Sequence, residues 1–221
     1  MFRMFAGWGL MDWVNNSVYL FQAIVALYGV YCAVVVWTRV AQKRFPTYDS
    51  QSQFLDALEV PLARGDFDQA AQLCEGDRRA VCQLAYMALI NRKLGVGKVK
   101  DMLLDHFQRE VLSDLEYRTS GINIAIKIEP MLGLLGTVLG MMQAFGKLAA
   151  AESVKATDLA SDISFALITT CVGLTIAIPL MVILTAINVR MKKMQELVTI
   201  GLSRFLESFT RAMKIAAQRG K

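Results

Sequence analysis

The sequence has few of the residues that most enzymes use for catalysis. It contains a single histidine, His106, and four cysteines, none of them in a Cys-x-x-Cys pair. It also has no Gly-x-x-x-x-Gly-Lys-Ser/Thr phosphate-binding loop. We interpret His106 as a solvated side chain on the polar side of a helix. We predict that the chain is not an enzyme and that it binds no cofactor and no metal.

Charged residues are also scarce, at 19% of the chain, whereas apolar residues reach 55%. The charge is missing mainly from three segments, 14–38, 121–146 and 163–189. Each is long enough to cross about 30 Å of hydrocarbon as a helix. The second segment contains Lys127 and Glu129, which we place near its entrance. The sequence therefore predicts an all-α integral membrane protein with three transmembrane helices.

Basic residues near the ends of these segments predict the orientation. Arg39 and Lys43 follow the first segment, and Arg190 and Lys192 follow the third, so both of these ends are expected in the cytoplasm. From Arg190 onward there are eight basic and two acidic residues, which favours contact with anionic lipid over nucleic acid. The predicted order is an outer N-terminal segment 1–13, a first span 14–38, a cytoplasmic helical domain 39–120, a second span 121–146, an outer loop 147–162, a third span 163–189 and a cytoplasmic C-terminal helix 190–221.

Helical periodicity continues beyond the spans. Short amphipathic helices are predicted in the cytoplasmic domain, with a break at Arg64–Asp66, and one longer helix over 98–118. After the third span, apolar residues recur every three to four positions, so we expect one helix from Ile163 to about Ala216. This apolar stripe consists of Met194, Val198, Leu202, Phe205, Phe209, Met213 and Ala216. A helix of this length needs neighbours, which predicts an oligomeric bundle.

Small residues recur at helical spacing in the second and third spans. They are Gly133, Gly136, Gly140 and Gly173. A glycine inside a helix costs about 1 kcal/mol relative to alanine, so such a pattern indicates helices whose backbones pack closely. Pro179 is expected to loosen the third span, because it leaves a carbonyl unpaired. Threonines at the same depth, among them Thr137 and Thr170, need hydrogen-bond partners. Thr169 and Thr175 are weaker candidates for a functional role.

The motifs at 130–145 and 163–179 resemble the second-span and third-span signatures of the MotA/TolQ/ExbB proton-channel family, and specifically its three-span ExbB and TolQ branch. The resemblance implies a homopentamer in the cell inner membrane with a periplasmic N-terminus. Its second and third spans would line a pore that holds a dimer of single-span ExbD- or TolR-like subunits. Thr137 and Thr170 match the pore threonines that face the partner's aspartate. Proton flow would energise a TonB- or TolA-like envelope protein.

One residue departs from the family pattern. Phe165 stands where ExbB and TolQ commonly have a glutamate, and it cannot relay a proton. Glu129 with Lys127 is expected at the cytoplasmic mouth, either as an ion pair or with Glu129 as a proton exit residue. Two alternatives remain: a non-conducting scaffold in which Phe165 plugs the path, and a MotA-like stator, although that branch has four spans. The sequence does not decide between protons and sodium ions, and it does not identify the load.

Overall fold

A computed structural model describes residues 5–150 and 156–219, and every regular element in these ranges is helical. The main helices are α1 (Phe5–Lys43), α2 (Tyr48–Arg64), α3 (Phe67–Cys74), α4 (Ala80–Ile90), α5 (Val96–His106), α6 (Ser113–Ala150) and α7 (Ala156–Arg219). Three helical stretches in these ranges are long and apolar enough to cross a membrane, and each overlaps one predicted span: Ser17–Lys43, Val96–Ala149 and Leu159–Gln218. The prediction of an all-α membrane protein with three transmembrane helices is therefore confirmed.

The helices are longer than the spans that they contain. Helix α7 runs without a break from Ala156 to Arg219, which confirms the predicted continuous helix, and Pro179 lies inside it. Helix α6 ends at Ala150, so helical structure extends into the predicted outer loop 147–162 from both sides. Residues 151–155 of that loop lie outside the described part. The chain divides into two compact units: unit 1 contains Met1–Val35 and Arg118–Ala186, and unit 2 contains Val36–Tyr117 and Ile187–Lys221.

Unit 1 consists of α1, α6 and α7 packed against one another. The three helices meet at Gly29, where a Cβ atom would lie 2.8 Å from Cβ of Ala125 on α6 and 3.0 Å from Cδ1 of Leu180 on α7. A side chain at this position would therefore push the helices apart. The glycine allows α1 to approach both neighbours at once.

Helices α6 and α7 approach closely along a stripe of small residues. A Cβ at Gly133 would lie 2.8 Å from Cα of Thr170, and a Cβ at Gly140 would lie 2.8 Å from Cβ of Ala166. From one contacting pair to the next, the residue number increases on α6 and decreases on α7, so the two helices are antiparallel. The glycines singled out in the sequence thus lie on the contact between the second and third spans.

Unit 2 contains the short helices α2 to α5 together with the C-terminal part of α7. Gly65 ends α2 with φ +82°, a conformation that glycine adopts without strain. Asp66 then caps α3, because its Oδ1 accepts a hydrogen bond from the Gln69 backbone N–H at 3.0 Å. The break predicted at Arg64–Asp66 is confirmed.

A second break differs from the expectation. The sequence predicts one helix over 98–118, whereas the structure has α5, a π-helical segment at Phe107–Leu112, and then the start of α6. An apolar side still faces inward here, with Leu103 of α5 fully buried and Val111 of the π-helical segment nearly so. The wider turns therefore interrupt the α-helical hydrogen bonding without exposing the apolar side.

The apolar stripe of α7 forms the core of unit 2. Five of its predicted members are buried, namely Met194, Val198, Leu202, Phe205 and Phe209, whereas Met213 and Ala216 are partly exposed and Ala212 is buried instead. Phe209 stacks on Phe205 and meets the ring of Phe67 edge to face, with centroids 6.4 Å apart. Gln51 adds a polar contact, since its Nε2 donates to the Leu197 carbonyl at 2.7 Å.

Removing the Phe209 ring should destabilise unit 2. Phe209 is completely buried, and Phe209→Ala would leave a cavity that lowers the free energy of unfolding by about 3–5 kcal/mol. We expect a clear fall in the apparent Tm of the purified protein in detergent, followed by circular dichroism. Ile200→Ala on the same helix is the control, because Ile200 is half-exposed, and it should change the stability by about 0.5 kcal/mol or less. Equal effects of the two substitutions would contradict this core assignment.

A methyl group on the α6–α7 contact should loosen unit 1. Gly133→Ala would place a Cβ against the α7 backbone, which cannot move aside as a flexible side chain can, and we expect a loss of about 1–3 kcal/mol. Gly146→Ala on α6 is the matched control, since a Cβ there meets nothing within 4 Å and gains about 1 kcal/mol in helix propensity. Apparent Tm measurements in detergent should therefore move in opposite directions. A stabilised Gly133→Ala variant would show that the contact is looser than described.

Candidate functional site

The two predicted pore threonines lie on one side of the α6–α7 pair. Thr169 is completely buried, and a Cβ at Gly136 would overlap its side chain, so these residues mark the contact. Thr137 follows Gly136 and Thr170 follows Thr169 in the sequence. Each side chain is therefore turned by about 100° around its helix, relative to the preceding contact residue. Because α6 and α7 are antiparallel, this rotation takes both side chains to the same side. Both are partly exposed there.

Both hydroxyl groups donate to backbone carbonyls. Thr137 Oγ1 donates to the Leu134 carbonyl at 2.7 Å, within its own helix. Thr170 Oγ1 donates across the contact to the Gly133 carbonyl at 2.9 Å. A hydroxyl has one hydrogen to donate, so each oxygen is left as an acceptor. In this arrangement the threonines are ready to receive a hydrogen bond from a protonated acid, and they would have to rotate before donating to an ionised one.

Thr169 and Thr175 donate to carbonyls of their own helix, as Thr137 does. Thr169 Oγ1 donates to the Ala166 carbonyl at 2.8 Å, and Thr175 Oγ1 donates to the Cys171 carbonyl at 2.8 Å. Hydrogen bonds of this type, to a carbonyl three or four residues earlier, are common for threonine in helices. They satisfy the hydroxyl without any ligand.

Glu129 and Lys127 do not form the ion pair considered from the sequence. Glu129 has no exposed surface and Lys127 is exposed, and neither carboxylate oxygen of Glu129 has a hydrogen-bond partner among the described residues. The physical reason is helical geometry, since residues two apart point to opposite sides of a helix. The Glu129 backbone carbonyl lies against Gly173, in the middle part of the charge-free segment 163–189.

Gln22 belongs to the same region and was not identified from the sequence. Its side chain is 1% exposed, and its Nε2 donates to the Thr169 carbonyl at 3.0 Å. The same Nε2 lies 3.1 Å from the point that a Cβ at Gly173 would occupy, and the Glu129 carbonyl lies 2.5 Å from that point. The sequence feature that could have identified Gln22 is its amide side chain, which lies in the otherwise apolar middle of the first predicted span, 14–38. A polar group at that depth requires a partner.

Phe165 lies away from the side that holds the predicted pore threonines. It precedes Ala166, a contact residue, so its side chain is turned by about 100° in the opposite direction to that of Thr170. The ring meets Tyr19 of α1 edge to face, with centroids 5.2 Å apart. This is an ordinary aromatic packing contact, and it gives Phe165 a structural role within unit 1.

The described part of unit 2 shows no group poised for catalysis. His106 is more covered than expected for a solvated side chain, at 22% exposure, with Nδ1 3.3 Å from Oε1 of Glu110. Burial, with a smaller contribution from Asp77, raises the pKa of Cys74 to about 12, and burial also raises the pKa of Cys82. Both thiols are therefore neutral at physiological pH and poorly nucleophilic. Among the described residues no cluster of histidine, cysteine or acidic side chains could hold a metal ion.

Comparison with known proteins gives a consistent result. The chain is 32% identical over 102 residues to the Tol-Pal system protein TolQ of Haemophilus influenzae, covering 46% of this chain and 42% of that protein. It is 27% identical over 161 residues to a putative biopolymer transport protein ExbB homolog of Methanothermobacter thermautotrophicus, covering 72% and 56%. The matched region thus spans about half the length of these relatives. The sequence profile of the MotA/TolQ/ExbB proton channel family matches residues 81–199, slightly more than half of the 221 residues. The chain belongs to the MotA/TolQ/ExbB proton channel family.

Proposed function

We propose that this chain is a proton-conducting motor subunit of the ExbB/TolQ type. Five copies would surround a pore lined by the spans in α6 and α7, and the pore would hold a dimer of single-span ExbD- or TolR-like subunits. The complex would lie in the cell inner membrane with the N-terminus in the periplasm and residues 190–221 in the cytoplasm. It would use the proton motive force to energise a TonB- or TolA-like envelope protein.

The observation that supports this proposal best is the placement of Thr137 and Thr170. They come from different helices, yet they lie on the same side of the α6–α7 pair and both are partly exposed within the single chain. An acid on a partner helix that met this side would find two hydroxyl groups. The chemistry suits a carboxyl group that changes its protonation state, because a hydroxyl can accept from the acid and donate to the carboxylate.

The cost of a charge in the membrane explains why hydroxyl groups are useful here. An ionised aspartate on a membrane helix is strongly disfavoured unless hydrogen-bond donors compensate it. A lysine or arginine would compensate it too well, because a permanent ion pair would hold the carboxylate in its charged form. Threonine stabilises either state by a modest amount and adds no charge. Such a site can therefore load and release protons.

The rival hypotheses have less support. Phe165 packs against Tyr19 on the side of α7 turned away from Thr170, so its placement gives no support to a plug in the proton path. The described residues contain three helices long and apolar enough to cross a membrane, which agrees with the three-span branch. Two relatives are named TolQ and ExbB homolog, and these names agree with the same branch.

The partner can be identified by co-purification. We expect affinity purification of this chain from its native membrane, followed by mass spectrometry, to recover a small single-span protein with an aspartate in its span. The mass of the intact complex should fit five copies of this chain with two of the partner. Recovery of the chain alone from a stable, native-size oligomer would contradict the motor hypothesis and favour a scaffold.

The threonines can be tested by proton flux in the recovered complex. Thr137→Val and Thr170→Val keep the shape of the side chain but remove the hydroxyl. A hydrogen bond to a charged group is worth about 1.5–3 kcal/mol, so we expect each change to reduce proton uptake into vesicles about tenfold or more. Uptake is measured with a pH-sensitive dye under an imposed membrane potential.

A matched control is available on the same helix. Thr199 is exposed, donates to the Gln195 carbonyl at 2.8 Å and lies outside the span 163–189, so Thr199→Val removes a comparable hydroxyl away from the proposed path. It should leave the flux close to that of the wild type. Unchanged flux in both Thr137→Val and Thr170→Val, with the complex intact, would remove these residues from the proton path.

A further inference from the structure

We propose that Glu129 is a second proton-binding site of this chain, buried between α1, α6 and α7 and separate from Thr137 and Thr170. The role of this proton in transport rests on the proposed function above, whereas the binding of the proton itself does not. Two buried side chains carry the argument. Glu129 is 0% exposed and both of its carboxylate oxygens lack a hydrogen-bond partner among the described residues; Gln22 is 1% exposed and its Oε1 lacks one as well.

The described segments that pack around Glu129 offer no charge to compensate an ionised carboxylate. Helix α1 has no charged residue from Ser17 to Val35, and α7 has none from Ile163 to Ala186. On α6 the neighbouring Lys127 is exposed. The remaining titratable groups on the facing segments are phenols and thiols, namely Tyr19, Tyr28, Tyr31, Cys32 and Cys171. An unpaired carboxylate in such a place is costly, whereas a carboxylic acid with its proton attached is tolerated.

Gln22 supplies the chemistry that a protonated carboxyl group needs. Its Nε2 must face the Thr169 carbonyl, because only the amide nitrogen can donate, and this orientation leaves Oε1 as a free acceptor. A protonated Glu129 has one O–H to donate. The Gln22 amide and the Glu129 backbone carbonyl both lie next to Gly173. A rotation that brings the two side chains together would let the carboxyl O–H donate to Oε1, which satisfies Oε1 and one of the two carboxyl oxygens.

Glycine at 173 is what makes this site possible. A Cβ at this position would lie 2.5 Å from the Glu129 carbonyl oxygen, so any larger residue would separate α7 from α6. Glu129 also lies on the stripe that continues through Gly133, Gly136 and Gly140, at intervals of four, three and four residues. Ionisation of Glu129 would place a charge inside the closest helix contact of unit 1. Release of this proton would therefore favour opening of the contact or entry of water.

The site can be tested without the partner subunit. Infrared spectra of the purified chain in lipid vesicles should contain the carbonyl stretch of a protonated carboxylic acid at neutral pH, shifted in heavy water. Glu129→Gln keeps the size of the side chain and should remove this band. Glu196→Gln is the matched control, because Glu196 is exposed in the described part of unit 2, and it should leave the band unchanged. Gln22→Leu should shift the band, since the acceptor of the acid proton is lost.

Each other outcome has a clear meaning. A neutral-pH spectrum of the wild type without the band, or with a band that persists in Glu129→Gln, would overturn the proposal. Circular dichroism shows whether the variant is folded, and the wild type gives a second readout, because its band should vanish at high pH. Loss of the band on addition of sodium chloride at constant pH would assign the site to a metal cation instead. A band in a complex that conducts no protons would leave this inference standing while the proposed function fails.

Discussion

The close approach of α6 and α7 is the constraint on which the rest of unit 1 depends. The glycines on α6 allow the two backbones to touch, and the helix pair in turn determines which residues are buried between them and which lie beside them. Inside a bilayer the apolar surfaces of helices gain little by leaving lipid, so contact must come from close packing and from interhelical hydrogen bonds. Both are present, since Thr170 donates to the carbonyl of Gly133, the residue that leaves room for it.

Polar groups in unit 1 fall into two classes with different consequences. The threonine hydroxyls are satisfied by backbone carbonyls, and they cost the fold little. Glu129 and the Oε1 of Gln22 are buried with no partner among the described residues, and such groups are expensive to maintain. A fold that retains an expensive group beside its tightest contact has a reason for it in function more often than in stability.

Unit 2 is stabilised by different physics. Its core contains stacked phenylalanines from α7 and apolar residues of the short helices, which are buried against each other in the manner of a water-soluble helical domain. Ion pairs between the helices also contribute, as in the contacts of Arg204 on α7 with Asp56 and Glu59 on α2. Helix α7 contributes residues to both units, and those it buries differ between them: Ala166 and Ala177 are buried in unit 1, and Phe205 and Phe209 in unit 2.

The sequence alone determined the three spans, the break at Gly65, the continuous α7 and the family, because each depends on local composition, on helical periodicity or on a contiguous motif. It also placed the four small residues and the two threonines on candidate packing and pore faces. Only the tertiary structure decided that Glu129 is buried away from Lys127, that Gln22 joins it and that Phe165 packs on Tyr19. Helical periodicity gives the angular position of a side chain on its own helix. Which neighbour meets that side depends on contacts between distant positions, such as the 147 residues that separate Gln22 from Thr169.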